Sequence, residues 1–324
     1  MDISPPAGAI WPISPSDAAC RSHENEPTAC KAPQVFGADW SVAARRRRET
    51  PDEYDALVAA LADEIGWAEQ QGGTGLPVGI GAAGLIAPSG LALTANLAAT
   101  GHPFPADIAR AAGRAITYVN DCRALTLSEA VFGAARGHSP VVGLILGTGV
   151  GGGVAVNGAL LPGRGGLGGE FGHMPAPAHL VAAHGLPVHP CGCGRTGCVE
   201  TYIAGPGLTR LAGHLTGQPL PPAEIAARRG GDMASVWTLW RDMVTELLVT
   251  ITFAIDPEVV VLGGGLSRID GLAKEREAAL AAAMLDGFAG PRIVSAEGGD
   301  SSGARGAAYA ALGASGAQTE GAHV

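Results

Sequence analysis

Residues 140 to 163, "PVVGLILGTGVGGGVAVNGALLPG", limit what this chain can fold into more than any other stretch, because they carry no charge from end to end. An uncharged run longer than about 20 residues has the length of a membrane-crossing helix. Its glycines oppose that form. Gly147, Gly149 and the run Gly151 to Gly153 would weaken a helix at its centre. The flanks VVGLIL and GGVAV each have strand length, and Asn157-Gly158 is a tight-turn dipeptide. A hairpin over 141 to 161 is therefore predicted, and no membrane span.

A hairpin needs partner strands, and the rest of the chain supplies them in alternation with helices. "VFGADWSVAARRRRETP" (35 to 51) suits two short strands around "GAD", and "DEYDALVAALADEIGWAEQ" has apolar residues at helical spacing. Strands follow at "LPVGIGAAGLI", "LALTANL" and "AITYVND", with a helix at "PADIARAAGRA" before the last. A helix at 123 to 136, helices from about 204 to 254 and the strand "EVVVLGGG" complete the pattern. Alternation of this kind predicts an α/β sheet. At 324 residues the chain exceeds the size at which a single core divides, so two domains are expected. Residues 1 to 34, rich in Pro, Ala and Ser, show neither period and are predicted to be irregular. A smaller α/β domain spans 35 to 121, joined by a C-terminal helix at 303 to 316, and a larger one spans 122 to 302. Aromatic residues make up only 5%, against 50 glycines, which favours close approach of elements over bulky cores.

The formal net charge is −9, from 21 Lys+Arg against 30 Asp+Glu, so the surface field opposes nucleic acid and anionic membrane as partners. The basic run "RRRR" at 45 to 48 is followed at once by the acids of "ETPDEYD" and reads as a solvated strand end. "MDISPPAGAIWPISP" lacks the basic start and unbroken apolar run of a secretory signal, so a cytoplasmic location is expected. In that reducing setting cysteines point to metal before disulfides.

Half of the six cysteines, Cys191, Cys193 and Cys198, crowd into "CGCGRTGCVET". Three thiolates on a glycine-bearing loop need one more donor to close a tetrahedral zinc site, and His173, His179, His184 and His189 all precede them. Three buried structural thiols are the alternative. "GEFGH" sets Glu170 near His173, whose second nitrogen would face another partner if the first held a metal. "GTGVGGGV", Gly147 to Val154, opens backbone N–H groups to phosphate oxygens, with the Thr148 hydroxyl beside them, although it lacks the G-K-[ST] ending of a Walker loop. "VVVLGGGLS" leads a buried strand into Gly263, Gly264 and Gly265, which suits a nucleotide or plain packing equally. Finally, "YVNDCRALTLSEA" places Asn120 and Asp121 where a strand passes into a helix, the sheet edge at which α/β folds bind ligands. Asp121 there suits a general base or a helix cap.

In this order, "VNDCRALTLSEA", "LILGTGVGGG", "GEFGHM", "CGCGRTGCVETY" and "DPEVVVLGGGLS" resemble the motifs of the ROK family of sugar kinases and related repressors, over about residues 35 to 313. Within it the wording is most similar to the bacterial N-acetylglucosamine kinases. The resemblance implies an actin-like ATPase (ribonuclease H-like) fold of two α/β domains. It implies phosphorylation of a hexose or amino sugar by ATP with Mg²⁺, N-acetylglucosamine to its 6-phosphate first, with glucose, fructose or N-acetylmannosamine as alternative acceptors. It implies a structural Zn²⁺ on His173, Cys191, Cys193 and Cys198. It assigns the sugar to Asn96, Asn120, Asp121, Glu170, His173 and Glu200, with Asp121 as the base. Gly147, Thr148, Gly149, Val150, Gly151, Gly152, Gly153 and Val154 would hold ATP phosphates, and Gly263, Gly264 and Gly265 would lie by the adenosine. A homodimer is also implied. One departure stands out: the family's first strand carries a D-x-G-G-T loop, and none occurs between Met1 and Gln34. The first strand and phosphate loop are thus expected to be missing or degenerate, from a displaced reading frame at the gene start or from true loss. A sugar-binding protein with impaired catalysis, or a sugar-responsive regulator, is the alternative function.

Overall fold

In the computed structural model, residues 9–14, 30–31, 33–94 and 97–320 are described. In chain order the first elements are β1 (Ala9–Ser14), β2 (Cys30–Lys31), β3 (Gln34–Phe36), β4 (Val42–Arg45), β5 (Arg48–Glu49) and α1 (Tyr54–Gly72). Then come β6 (Val78–Ala82), β7 (Leu85–Ile86), β8 (Ala92–Leu93), α2 (Phe104–Ala112), β9 (Thr117–Asn120) and α3 (Asp121–Val131). The hairpin strands β10 (Val141–Leu146) and β11 (Val150–Val156) precede β12 (Ala159–Leu160), α4 (Ala178–Ala183), α5 (Glu200–Ile203), α6 (Gly205–Thr216) and α7 (Pro222–Ala227). The long helix α8 (Ala234–Ile255), β13 (Val259–Gly263), α9 (Leu272–Ala282), β14 (Arg292–Ser295) and α10 (Ser302–Glu320) complete the chain. These elements divide between two units.

The first unit takes Met1–Gly133, Gly158–Gly168 and Glu297–Val324. Its sheet centres on β6, every residue of which is buried, with β1 and β9 parallel to it on either side. Strand β1 also pairs antiparallel with β3 through Ala9 and Ile10, and with β2 through Ile13 and Ser14. A strand inside the segment expected to be irregular is a difference from the sequence reading. Pro12 and the lack of alternation hide it, since its order comes from ladders to strands distant in the chain. Leu57, Leu61 and Ile65 of α1 join Phe104 and Ile108 of α2 over Val78 and Ile80. Against Val119 and Ala124 lie Ala304, Ala307 and Ala308 of α10. Backbone meets backbone here: a Cβ built on Gly79 would stand 2.0 Å from the Ala307 carbonyl oxygen, and one on Gly306 only 1.7 Å from that of Ala124.

Close packing on α10 also explains why α3 belongs to the first unit, where the sequence boundary at 121 would have put it in the second. The buried Glu129 carboxylate of α3 accepts from the N–H groups of Glu297 (3.0 Å) and Gly298 (2.8 Å) and from the Ser302 hydroxyl. Three donors on one buried acceptor fix the start of α10 against α3. The Arg45 to Arg48 run keeps the exposed edge expected of it along β4 and β5, and adds internal pairing. Arg46 and Arg48 both donate to Glu64 of α1, whose side chain is fully buried, and Arg46 lies 4.7 Å over the Trp67 ring.

Residues Ala134–Asn157 and Gly169–Ala296 make the second unit. Strand β10 pairs antiparallel with β11 and parallel with β13, and β13 parallel with β14. Asn157 and Gly158 both have positive φ, 52° and 74°, as a tight turn of that dipeptide requires. Helix α8 fills the core with Trp240, Met243, Val244, Leu247, Leu248 and Ile251, and the buried Trp240 indole donates to the Ile203 carbonyl at 2.9 Å. Among the described residues no helix is long and apolar enough to cross a membrane.

Candidate active site and metal centre

In the first unit the sheet delivers Asn120 and Asp121 at the end of β9. Asn120 is the cap of α3: its Oδ1 accepts from the N–H groups of Cys122 (3.0 Å) and Arg123 (3.2 Å). Its Nδ2 donates to the Gly84 carbonyl at 3.2 Å. The capping role thus falls to Asn120, and Asp121 is the first helical residue, its Oδ1 accepting from Cys122 N–H at 2.9 Å. Burial raises the Asp121 pKa above the ordinary carboxylate range, while the bond from Cys122 works to lower it. Burial likewise raises the phenol of Tyr118 next to it, with the Asp121 charge as a second cause. Asn96, a further expected contact, lies outside the described residues.

Sequence reasoning did not single out Gly84, Tyr118 or Arg123 at this edge. Gly84 has φ of 116°, and a Cβ there would stand 2.6 Å from the Leu93 carbonyl oxygen, so only glycine can present this carbonyl to Asn120. The glycine in "GAAG" at a strand end was the available signal. Arg123 donates to the carbonyls of Leu161 (2.8 Å) and Gly166 (3.3 Å), which ties residues 158–168 to α3. A cavity of about 420 Å³ opens beside Asn120.

In the second unit the expected phosphate loop is the turn between β10 and β11. Gly147 N–H donates to the Gly149 carbonyl at 3.0 Å, and the Gly147 carbonyl accepts from Gly205 at the start of α6 at 2.8 Å. Thr148 and Gly149 are exposed, whereas Gly152, Gly153 and Val154 are buried in β11. Strand β13 runs parallel beside β10, with Gly263 opposite Ile145, so the Gly264 and Gly265 turn emerges next to Gly147. Two glycine turns at adjacent strand ends form one open backbone edge.

The same unit gathers the candidate metal donors. One ligand atom from each of His173, Cys191, Cys193 and Cys198 lies within 4.8 Å of the others. His173 Nδ1 faces Cys191 Sγ at 3.6 Å, and Cys193 Sγ faces Cys198 Sγ at 3.6 Å. A tetrahedral zinc with sulfur at about 2.3 Å sets its sulfurs about 3.8 Å apart, so the donor set fits such an ion. The loop is pinned at both ends, with Cys191 N–H on the Arg195 carbonyl (2.8 Å) and Val199 N–H on the Met174 carbonyl (2.8 Å). Burial and the two neighbouring thiols push Cys198 up to about 12, and burial also raises Cys191. A divalent cation would reverse this by holding the sulfurs as thiolates. His179, His184 and His189 take no part in the cluster.

Two acids connect this cluster to its surroundings. Glu170 Oε2 stands 3.6 Å from His173 Nε2, on the side of the ring away from the sulfurs. With a metal on Nδ1, a carboxylate on that side of the ring would help to orient the histidine. Glu200 accepts from Val150 N–H at 2.8 Å with Oε2, and Cys191 Sγ lies 3.8 Å from its Oε1. One carboxylate therefore couples the cysteine loop to the glycine turn.

Over residues 31–314 the sequence matches the ROK family. It is 38% identical over 279 residues to an N-acetylgalactosamine kinase of Shewanella sp. (strain ANA-3), covering 85% of this chain and 91% of that protein. It is 39% identical over 282 residues to an N-acetyl-D-glucosamine kinase of Pectobacterium atrosepticum, covering 85% and 93%. A ROK hexokinase from Thermus thermophilus superposes with a TM-score of 0.77 at 28% identity, over 94% of this chain and 96% of that one. A ROK family glucokinase from Streptomyces griseus, solved with glucose and AMPPNP, gives 0.69 at 24% identity over 94% and 98%, a likeness of fold. Motif order, sheet topology and similarity across most of its length agree: the chain belongs to the ROK family and has the actin-like ATPase fold of that family's sugar kinases.

Proposed function

We propose that this protein transfers the γ-phosphoryl group of ATP to an N-acetylhexosamine, N-acetylglucosamine first, at the hydroxyl on C6. The observation that carries this reading is the identity of 38 to 39% over 85% of the chain to kinases named for N-acetylgalactosamine and N-acetylglucosamine. The placement of Asp121 supports it: a carboxylate at a strand end, held by one backbone bond, is where a hydroxyl can be oriented for attack. Asp121 would accept the hydroxyl proton as the oxygen attacks phosphorus. Raised basicity suits that task. Asn120, Glu170, His173 and Glu200 would hold the sugar hydroxyls, and the Gly147 to Val154 stretch, through its exposed turn at Thr148 and Gly149, would receive the phosphates of ATP, taken up as its magnesium complex. Gly263 to Gly265 would adjoin the adenosine. His173, Cys191, Cys193 and Cys198 would hold zinc, which as a structural ion would stiffen the loop carrying Glu170 and Glu200 without entering the reaction. Little covalent work is required of the protein beyond positioning and charge stabilisation.

A second reading, sugar binding without turnover, is favoured by one observation. Strand β1 passes into "PSDAACRSHENEPTA", which has no glycine where the family's phosphate loop carries two. ADP release measured with ATP and a panel of N-acetylated and plain hexoses, beside calorimetric binding of the same sugars, separates the two. Turnover of N-acetylglucosamine or N-acetylgalactosamine supports the kinase, and binding with no ADP release overturns it.

A further inference from the structure

A second cavity, of about 130 Å³, lies within the second unit between the stretch 186–189, α5 and α6. It is larger than the space of a single water and smaller than the roughly 300 to 1,000 Å³ that takes a drug-sized molecule, so its occupant is the size of a small ion. Its frame is rigid. A Cβ on Gly207 would stand 2.4 Å from the Tyr202 carbonyl carbon and 2.6 Å from its oxygen, so α6 packs directly on the α5 backbone. The Tyr202 hydroxyl donates to the Pro187 carbonyl at 2.8 Å, which ties the 186–189 stretch to α5. The His189 ring rests against that of Tyr202, with centroids 5.5 Å apart.

Charge sets this space apart. Arg210, His189 and His214 line it, and among the described residues that do so there is no carboxylate. In a chain with 30 Asp+Glu against 21 Lys+Arg, such a grouping runs against the composition. Arg210 spends one N–H, from Nη2, on the Thr201 carbonyl at 2.7 Å, and among the described residues no carboxylate pairs with it. Arg228, in the same unit, is answered by both Glu224 and Asp232. Most of the Arg210 guanidinium donors are thus left for an occupant, and they favour an oxyanion. Leu186 and Leu211, buried in the wall, lower the local dielectric and strengthen that attraction. An ammonium would meet like charge. His214 adds a selective element. Its Nε2 lies 3.2 Å from the His184 carbonyl oxygen, which can only accept, so Nε2 carries the hydrogen and Nδ1 of the neutral ring is left as an acceptor. An oxyanion that also carries an O–H answers both the guanidinium and this nitrogen. Hydrogen phosphate has one, and sulfate does not.

We infer that this cavity binds inorganic phosphate as hydrogen phosphate, with its oxygens toward Arg210 and its O–H toward His214. The site is separate from the glycine turn at 147 to 154 and from Asp121, and it stands whether or not the protein turns over a sugar. It also has a structural consequence. The 186–189 stretch leads into Cys191, and Thr201 directly follows Glu200, so an anion held here bridges the entry and the exit of the cysteine loop.

The test titrates phosphate and sulfate into the full chain by calorimetry at equal ionic strength, with Mg-ADP at saturation to occupy the glycine turn. Phosphate should bind saturably and about 10-fold or more tighter than sulfate, because one hydrogen bond involving a charged group is worth at least that factor. Arg210→Gln should weaken phosphate by about 10-fold or more for the same reason. His214→Ala should bring the ratio of the two affinities toward unity, a change that general loss of stability does not produce. If Arg210→Gln fails to fold, the His214→Ala ratio decides alone. Glycerol 2-phosphate carries the same group on a larger body and should bind more weakly than phosphate. Absence of saturable phosphate binding, or sulfate binding as tightly as phosphate, overturns the proposal. So does an affinity unmoved by Arg210→Gln, the behaviour of phosphate bound at the glycine turn instead. Tighter, Arg210-dependent binding of glycerol 2-phosphate would give the cavity to the phosphoryl group of a larger molecule and overturn its assignment to the free ion.

Discussion

Gly172→Ala is the sharpest probe of how the fold builds its candidate metal centre. Gly172 is the buried middle residue of the turn Phe171–His173, which lies on β11. A Cβ there would stand 2.2 Å from the Val150 carbonyl oxygen, 2.9 Å from Val150 Cβ and 3.0 Å from its carbonyl carbon. Val150 stands opposite Leu146 at the end of the sheet ladder and its N–H is held by Glu200, so its retreat would disturb both. Overpacking costs about 1 to 3 kcal/mol, and a clash with fixed backbone belongs at the upper end. Alanine returns about 0.4 to 1 kcal/mol by restricting the unfolded chain, leaving a net loss near 2 kcal/mol. For a unit of this size that lowers Tm by roughly 4 to 8 °C. If the turn lifts to relieve the clash, it carries His173 away from Cys191, now 3.6 Å from its Nδ1. Thermal unfolding and zinc stoichiometry after dialysis against a chelator should therefore fall together. Gly192→Ala is the control, since a Cβ at Gly192 meets nothing within 4 Å, and it should change stability by less than about 0.5 kcal/mol. A Gly172→Ala protein with wild-type Tm and full metal would refute the steric reasoning.

Other perturbations test separate parts of the site. Asp121→Asn should lower kcat by about 100-fold or more while zinc content stays unchanged, and Tm should not fall, because the replacement removes a charge that burial already disfavours. A mutant of near-normal rate removes Asp121 from the base role. As the proposed base Asp121 would act as the carboxylate, so kcat/KM should drop as pH falls through its raised pKa, placing the acid limb above the ordinary carboxylate range; a flat profile down to pH about 4 contradicts this. Cys193→Ala should lose metal and sugar affinity together, and metal loss with unchanged sugar binding, read by calorimetry, would show that the ion does not position the loop. Glu129→Ala leaves three donors without their buried acceptor and should cost roughly 3 kcal/mol in urea unfolding; a loss under about 1 kcal/mol would mean that water replaces the carboxylate.

What could be read from the sequence was what the chain encodes locally. The strands of 141 to 161 announce themselves through their short apolar runs, with Asn157-Gly158 marking the turn from β11 to β12, and the three thiols of the cysteine loop sit within a few residues of one another, so spacing alone brings their donors close. Long-range pairing left no such mark. Strand β1 owes its order to β6, β3 and β2, and nothing in "AIWPIS" signals them. Helix α3 follows the first unit because Gly306 and Glu129 bind it to α10, more than a hundred residues further along the chain. Arg46 and Arg48 looked like solvated charges because their partner, Glu64, is buried on a helix whose apolar spacing gave no reason to expect an acid inside.

Composition connects these two scales. A chain with few aromatics has few large rings to interlock, so several of its elements gain contact by bringing backbones together. Gly79 and Gly306 do this for α10 in the first unit, and Gly172 does it for the turn that carries His173 in the second. Such contacts leave little volume to trade, because the opposing atom is a main-chain carbonyl oxygen of a helix or strand, not the end of a flexible side chain. Side chains anchored beside them inherit that fixity: Glu170 and His173 flank Gly172, and Glu200 reaches the N–H of Val150, with Phe171 and Tyr202 buried behind them. Tolerance to substitution should accordingly follow the distance from a glycine's virtual Cβ to the nearest backbone oxygen more closely than it follows depth of burial.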